Sequence, residues 1–277
     1  MSVAVTGCRG YLGSTVTHHL HTVGMEYRAA LGRLERLTPG SVRCHAVIHC
    51  AGAVRSRPAH ELWHANVAVL ATLLQAIGPE PVVVPASSRA VTAPPDQQDD
   101  YARSKRTAEQ AAALHPGPLR IIRMTVLAGP SPAGLGGSFV TRMADAALRT
   151  GTITIPSQDR RVDFLDVREA SAVMAAVTDP LLAWPGTGPI DATSGPLDLA
   201  ALAHATAQAV RETTGRRIRL TRTRLPASHH PPPADPARWA ALCTHAGVTP
   251  RPPLTTIRDT VHAHVSAQEK SSGRDRD

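Results

Sequence analysis

Tyr101 and Lys105 are the two side chains of this sequence best suited to move a proton. They stand four residues apart in a segment of helical character, and residues at i and i+4 share one face of a helix. A phenol has an ordinary pKa of about 10, and a nearby cation favours the phenolate and improves proton transfer near neutral pH. Only Lys105 and Lys270 are lysines among the 30 Lys and Arg residues. Tyr101 and Lys105 together therefore predict a general acid or base.

Three glycines near the N-terminus have the spacing of a phosphate-binding turn. Gly7, Gly10 and Gly13 follow a short apolar run over residues 2–6 and open a helical stretch. In such a turn the first glycine permits the tight bend and the second lets the backbone approach a pyrophosphate at the helix N-terminus. The third allows close packing of helix on strand. This segment therefore predicts dinucleotide binding.

A pair of serines stands where a ligand would meet the sheet. Ser87 and Ser88 close the apolar, β-branched run of residues 81–87, which is typical of a buried parallel strand. Ligands of open α/β sheets bind beyond the carboxyl ends of the strands. We therefore expect a serine hydroxyl at this position to donate a hydrogen bond to a substrate oxygen.

The elements that must position these side chains alternate between strands and helices. Strands are predicted at 2–6, 26–31, 46–50, 81–87 and 119–127, and helices at 11–23, 58–77 and 101–114. This alternation predicts a doubly wound parallel sheet of the Rossmann type. Shorter elements follow, with strands near 152–155, 189–191 and 218–223 and helices near 167–178, 199–214, 235–246 and 255–266.

The change from regular alternation to shorter elements predicts two lobes. Residues 1–128, with 157–178 returning to them, are predicted to form a dinucleotide-binding Rossmann lobe. Residues 129–266 are predicted to form most of a small C-terminal α/β lobe that binds substrate, with Trp239 in its core. Residues 267–277 are polar and are expected to be a disordered tail.

Composition narrows the function classes. The chain has 277 residues, 42% of them hydrophobic, and no apolar run of about 18 residues, so we expect no membrane span. The net charge is +8, but aromatic residues are only 3%, which makes stacking platforms for nucleic acid scarce and favours an arginine-rich surface. Four cysteines without a CxxC pair and an N-terminus without a signal pattern predict a cytoplasmic protein. The first-helix histidines lack an evident third ligand, so no metal is expected.

The motifs in this order resemble the extended short-chain dehydrogenase/reductases, the NAD(P)-dependent epimerase/dehydratase family. TGCRGYLG at 6–13 is similar to the family's TGxxGxxG, and Tyr101 with Lys105 is similar to its YxxxK. Other matching segments are VIHCAG at 47–52, Asn66, the serine segment 86–91, RMTVLAGP at 123–130 and RVDF at 161–164. The resemblance covers residues 2–266 and implies an NAD(P)-dependent oxidoreductase.

The resemblance also implies residue roles. Tyr101 would be the general acid or base, Lys105 would hold the nicotinamide ribose and Ser88 would polarise a carbonyl. The cofactor-binding residues implied are Thr6, Gly7, Arg9, Gly10, Tyr11, Leu12, Gly13, Arg33, Cys50, Ala51, Gly52, Asn66, Ala86, Ser87 and Lys105. The substrate-binding residues implied are Ser88, Arg89, Thr125 and Arg161.

Departures from the family pattern reduce the number of reactions that the family resemblance allows. The family's dehydratases carry an Asp-Glu pair after the serine or threonine, where this chain has Arg89 and Ala90. The acid pair needed to eliminate water is missing, which argues against dehydration. Val126 stands where the family often has an asparagine that serves nucleotide-sugar enzymes, and Ala128 replaces a tyrosine. A nucleotide-sugar substrate is therefore not favoured.

The predicted cofactor is NADP(H) in preference to NAD(H). NAD selection in this fold usually needs a carboxylate at the tip of the second strand, whereas residues 26–31 lead into Gly32 and Arg33. Arg33 offers a planar cation for a 2′-phosphate, and Arg9 lies just before Gly10, as in NADP-dependent relatives.

The sequence therefore predicts an NADPH-dependent ketoreductase. Its substrate would be a keto group on a sugar, an aminocyclitol-type compound or a similar polyhydroxylated molecule, in biosynthesis of a specialised metabolite. The alternatives are a nucleotide-sugar 4-epimerase or 4-ketoreductase, and a non-catalytic NADP-binding sensor. The expected partner is a small molecule, with no nucleic acid and no membrane; the oligomeric state stays open, with a homodimer as one expectation.

Overall fold

The computed structural model describes residues 2–29, 34–132, 138–157, 160–224 and 234–274. In chain order its strands are β1 (Val3–Thr6), β2 (Tyr27–Ala29), β3 (Ala46–His49), β4 (Val82–Ser88), β5 (Ile122–Met124), β6 (Val126–Ala128), β7 (Thr152–Pro156), β8 (Arg161–Asp166), β9 (Ile190–Ala192), β10 (Pro196–Asp198) and β11 (Arg219–Thr223). Its helices are α1 (Tyr11–Thr22), α2 (Ala59–Trp63), α3 (Val69–Ile77), α4 (Asp100–Ala113), α5 (Phe139–Thr150), α6 (Val167–Ala176), α7 (Leu199–Thr214), α8 (Pro236–His245) and α9 (Pro253–Arg274).

The main sheet has six described strands in the order β2-β1-β3-β4-β5-β9, and every neighbouring pair is parallel. Its strands are short and apolar because both faces are covered, as the run of valines in β4 indicates. The predicted α/β fold with a doubly wound parallel sheet is thus confirmed. The carboxyl ends of β1, β3 and β4 lie side by side, so residues that follow these strands meet at one edge.

The predicted strand at 119–127 divides into two at Thr125. Its first part, β5, stays in the main sheet, whereas β6 pairs with β8 in a separate three-stranded sheet that also contains β10. The Thr125 hydroxyl donates to the carbonyl of Ala192, 2.9 Å away, and so holds the break against β9. The polypeptide thereby passes from the first lobe to the second beside the carboxyl ends of β4 and β5.

The second lobe has its own core, formed where α5, α7 and α9 pack together with the parallel pair β7 and β11. Two later elements lie in the first lobe instead. α6 packs against α1 in the core of the main sheet. Trp239 on α8 is buried in that same core, and not in the small lobe as the sequence predicted, because α8 packs against the edge strand β9.

The C-terminal helix is longer than the sequence predicted. α9 continues to Arg274, so residues 267–274 are helical where a disordered tail was expected from residue 267. Ala267 and Gln268 favour helix, and the Gln268 side chain donates to Asp145 on α5 at 2.7 Å. The last three residues, 275–277, lie outside the described part.

Candidate active site

The glycine turn has the close backbone contacts that its spacing predicted. Gly7 has a φ of +70°, and a β-carbon there would lie 2.5 Å from the amide nitrogen of Ala51. A β-carbon at Gly13 would collide with the carbonyl oxygen of Gly7. The Gly10 amide donates to that same carbonyl at 2.8 Å, and no side chain caps the start of α1 in the described residues. The helix N-terminus therefore offers free amides to an anion, which fits the pyrophosphate of a dinucleotide.

A second glycine contact forms the neighbouring wall of the site. A β-carbon at Gly52 would lie 2.6 Å from Asn66 Oδ1 and 3.1 Å from Lys105 Nζ. Asn66 sits in a wide helical turn, His64–Ala68, between α2 and α3. Its side chain accepts from the Ala53 amide at 3.0 Å and donates to Ser104 Oγ at 2.9 Å. The loop after β3 is thus fixed to α4, the helix that carries Tyr101 and Lys105.

The three proposed catalytic side chains come together at the end of β4. Ser88 is the last residue of β4 and is hydrogen-bonded to the Tyr101 side chain. Lys105 Nζ donates to the Ala86 carbonyl at 3.3 Å, its one hydrogen bond among the described residues. An ammonium has three donors, so Lys105 retains donors for ligand hydroxyl groups. Its position beside Gly52 fits the ribose of a nicotinamide nucleotide.

The electrostatics of Tyr101 differ from the sequence prediction of a cation-stabilised phenolate. Burial raises the pKa of Tyr101 above its ordinary value, and the hydrogen bond with Ser88 and the charge of Arg55 lower it by less than burial raises it. The prediction of a lowered pKa is therefore wrong for the free protein, because desolvation outweighs the cation. Tyr101 is a neutral phenol at neutral pH and can donate a proton.

The buried position of Lys105 makes its protonated form less favourable. Burial lowers its pKa from 10.5 to about 8, although Cys50 and Glu109 act in the opposite direction. The neighbouring His49 is also buried, and burial together with the charge of Lys105 lowers its pKa to about 3. His49 is therefore neutral, and its Nδ1 is hydrogen-bonded to Thr6 Oγ1 at 2.8 Å. Thr6 thus orients a core histidine beneath the glycine turn.

Arg89, which the sequence placed among substrate-binding residues, is buried in an ion-pair network instead. Its side chain is 4% exposed and bonds Asp163 on β8 and, through Nε at 2.9 Å, Asp191 on β9. The reason is topological: β8 and β9 bring two carboxylates to the end of β4, where a buried guanidinium neutralises both. Arg89 therefore connects the main sheet to the second lobe.

A third carboxylate, also largely buried, lies beside β4, and Arg123 connects it to Asp191. Glu109 on α4 accepts from Ser87 Oγ at 2.6 Å and from Arg123 at 2.6 and 2.8 Å. Ser87, predicted to contact the cofactor, thus has its hydroxyl engaged inside the protein. Sequence reasoning missed Glu109 and Asp191, because nothing local distinguishes them from surface acids, and it placed Asp163 in the RVDF segment without assigning it a role.

The remaining predicted site residues are less central. Arg161 is exposed and pairs with Asp198 at 3.5 Å, away from the trio, and Thr125 holds the break between β5 and β6. Arg9 is exposed in the glycine turn, and Tyr11 donates to the Gly129 carbonyl at 2.6 Å. Arg33 lies outside the described residues. The other predicted cofactor residues, Leu12, Cys50, Ala51 and Ala86, line the ends of β1, β3 and β4 or the start of α1.

The described residues contain neither a membrane span nor a cluster of metal ligands. No helix there is long and apolar enough to cross a membrane. No group of three or more His, Cys, Asp or Glu side chains in that part could hold a metal ion.

The fold and the Ser88, Tyr101 and Lys105 arrangement define an NAD(P)-dependent enzyme of the short-chain dehydrogenase/reductase type. The chain belongs to the NAD dependent epimerase/dehydratase family, whose model matches residues 3–181. No curated protein matches this sequence.

Solved structures of related enzymes share the fold over nearly the whole chain. An NAD dependent NDP-hexosamine 5,6-dehydratase, TunA, involved in tunicamycin biosynthesis, is 18% identical with a TM-score of 0.76, covering 96% of this chain and 98% of that one. RMD from Pseudomonas aeruginosa, complexed with NADPH, is 20% identical with a TM-score of 0.73, covering 98% and 99%. A GDP-L-fucose synthetase from Naegleria fowleri is 15% identical with a TM-score of 0.76, covering 97% and 94%. At these identities the likeness establishes the fold alone.

Proposed function

We propose that this protein is an NADPH-dependent ketoreductase that acts on a keto group of a sugar, an aminocyclitol-type compound or a similar polyhydroxylated small molecule. The observation that carries the proposal is the convergence of Ser88 at the carboxyl end of β4 with Tyr101 and Lys105 on one face of α4. A ketone reduction needs a proton donor at the carbonyl oxygen, and a neutral phenol supplies one. We place the reaction in biosynthesis of a specialised metabolite, with a small molecule as the partner of the site.

The chain's own residues would divide the work as follows. Ser88 and Tyr101 hold the carbonyl oxygen of the substrate between two hydroxyl donors, and Tyr101 delivers its proton to that oxygen. Lys105 would bind ribose hydroxyls and keep the nicotinamide at the wall that Gly52, Asn66 and Lys105 form together. When bound, the cofactor supplies hydride to the carbonyl carbon. The glycine turn holds the pyrophosphate on the N-terminus of α1.

The surroundings of Ser88 support reduction over dehydration. The position after Ser88 carries a guanidinium whose charge is engaged by Asp163 and Asp191. No carboxylate follows Ser88 to remove or deliver the second proton that elimination of water requires. Incubation with a nucleotide-hexose should therefore yield no 4-keto-6-deoxy product, and detection of that product by mass would overturn the assignment.

The NADPH preference rests on charge near the glycine turn. Arg9 is exposed there, and Arg33 follows the second strand in sequence. Charge-assisted hydrogen bonds are worth about 1.5–3 kcal/mol each, so two contacts to a 2′-phosphate should favour NADPH over NADH by at least about tenfold. The test is kcat/KM with each cofactor, for the wild type and for Arg33→Asp. Equal use of both cofactors by the wild type, or an unchanged ratio in the variant, contradicts this preference.

A nucleotide-sugar 4-epimerase or 4-ketoreductase is the second candidate, because the same three side chains could serve oxidation followed by re-reduction. An epimerase must retain its cofactor through both steps. Purified protein should then carry tightly bound NAD(H), whereas the proposed reductase should bind and release NADP(H) in every turnover.

A further inference from the structure

We propose that Arg55 is a positioning residue for the proton donor Tyr101, held over the phenol ring by Asp99. The inference rests on the proposed function, which makes Tyr101 the proton donor, and it assigns a task to a residue that no sequence motif contained. Arg55 lies in the loop after β3, and Tyr101 lies in the first turn of α4.

Two contacts place the Arg55 guanidinium. Its central carbon lies 5.4 Å from the centroid of the Tyr101 ring, which is the range of a cation–π contact. Its Nε lies 2.6 Å from Asp99 Oδ2, although the Arg55 side chain is largely exposed and that of Asp99 is nearly half exposed. An isolated ion pair on the surface contributes little to stability. Here, however, the same guanidinium also covers the Tyr101 ring in the candidate active site.

Asp99 connects the cation to the helix that carries the ring. Its other oxygen, Oδ1, accepts from the Ala102 amide at 2.8 Å and caps the start of α4. One carboxylate therefore fixes both the backbone just after Tyr101 and the cation on the Tyr101 ring. The ring is thus confined by its own helix and by Arg55, while its hydroxyl meets Ser88.

Arg55 also changes how readily the phenol ionises. The groups that act on Tyr101 are Ser88 from β4, Arg55 from the loop after β3, and Asp99 from the turn before α4. Ser88 and Arg55 lower the pKa of Tyr101, Asp99 raises it, and burial raises it most. Arg55 is therefore the cation that makes the buried phenol a stronger acid, the role that the sequence had assigned to Lys105.

The test is the ionisation of Tyr101 itself, which needs no substrate. The chain has three tyrosines, so the transition that disappears from the near-ultraviolet phenolate absorbance in Tyr101→Phe belongs to Tyr101. It would be read within milliseconds of a pH jump, before alkaline unfolding. In Arg55→Gln the Tyr101 transition should move to higher pH, and in Arg55→Lys it should move less, because the charge remains.

Arg57→Gln is the matched control. Arg57 belongs to the same loop, is 61% exposed against 65% for Arg55, and pairs with Glu61 at 3.6 Å. The Arg57→Gln variant loses the same charge as Arg55→Gln, but the pH of its Tyr101 transition should stay at the wild-type value. An unmoved transition in Arg55→Gln, or an equal movement in Arg57→Gln, overturns the inference.

A kinetic readout separates this inference from the proposed function. With a reducible ketone, the alkaline limb of kcat should move to higher pH in Arg55→Gln, because a weaker acid keeps its proton longer. At neutral pH kcat should fall about two- to fivefold, as expected for loss of an exposed cation–π contact, with an unchanged KM for NADPH. If the protein reduces a ketone but the Tyr101 transition does not move in Arg55→Gln, the role of Arg55 is refuted and the proposed function stands. A moved transition with no ketone reduced refutes the proposed function and leaves the Arg55–Tyr101 coupling standing.

Discussion

Arg89 and Asp163 form a buried ion pair between the residue that follows Ser88 and strand β8 of the second lobe. Their side chains are 4% and 12% exposed, and the second oxygen of Asp163 has no hydrogen-bond partner among the described residues. Asp191 on β9 binds the same guanidinium. The active-site end of the main sheet is thus tied electrostatically to the lobe expected to bind substrate.

Removal of the Arg89 charge should destabilise the protein strongly. Arg89→Met leaves the carboxylate of Asp163 without its cation and leaves Asp191 with only the longer 3.8 Å contact to Arg123, and breaking a buried pair in this way costs about 3–5 kcal/mol. Urea unfolding should report a lower free energy of unfolding by that amount. Arg161→Met is the control, because its pair with Asp198 is exposed and should contribute no more than about 1 kcal/mol. Equal effects of the two variants would show that the buried network does not carry stability.

Replacement of the proton donor should separate chemistry from binding. Tyr101→Phe keeps the ring under Arg55 but removes the hydroxyl that meets Ser88. General acid–base help is worth about 10²–10⁴-fold, so kcat should fall by at least about two orders of magnitude. The dissociation constant for NADPH, measured by fluorescence titration, should stay near the wild-type value. A variant that retains wild-type kcat would exclude the role of Tyr101.

Lys105 should be a residue whose presence lowers stability. Its pKa of about 8 in the folded protein lies below the unfolded value of 10.5, so folding disfavours its charged form. This cost is fully present below about pH 8, decreases as the pH rises, and vanishes above the unfolded pKa. Lys105→Met should therefore raise the free energy of unfolding at pH 7 by about 1–3 kcal/mol while it weakens NADPH binding. A stability difference that does not shrink between pH 8 and pH 10.5 would contradict the assignment.

The glycine turn can be tested with one methyl group. Gly13→Ala places a β-carbon against the Gly7 carbonyl, so the turn must open and NADPH affinity should fall at least about tenfold, since a displaced backbone cannot keep its phosphate contacts. Gly24→Ala is the comparison, because Gly24 lies just beyond the end of the same helix, α1, and has no atom within 4 Å of such a β-carbon. Its φ of +69° predicts a loss of stability of about 1–2 kcal/mol, with unchanged NADPH affinity.

The features that the sequence predicted correctly are those encoded locally. The order of strands and helices in the first lobe follows from apolar runs and turn residues, and the glycine turn follows from three closely spaced glycines. Tyr101 and Lys105 share a face because they belong to one helix. Such signals need no knowledge of distant parts of the chain.

The features that the sequence did not predict depend on contacts between distant residues. Arg89 binds partners that are 74 and 102 positions away, so its burial could not be read from its neighbours. The raised pKa of Tyr101 depends on how much of the fold covers it, and the cation that acts on it comes from the loop after β3. The sequence analysis placed Trp239 of α8 in the small lobe, because the packing of α8 against β9 can be seen only in the folded structure.

The most direct test of the central claim uses NADPH that carries deuterium at the transferable position. Purified protein would be incubated with this cofactor and a panel of keto sugars and keto cyclitols, and the products would be analysed by mass spectrometry. The account predicts an alcohol that has gained one deuterium from the cofactor, formed by the wild type and at least about a hundredfold more slowly by Tyr101→Phe. Tightly bound NAD(H) in the purified protein, together with interconversion of nucleotide-sugar epimers and no deuterium transfer from added NADPH, would contradict it.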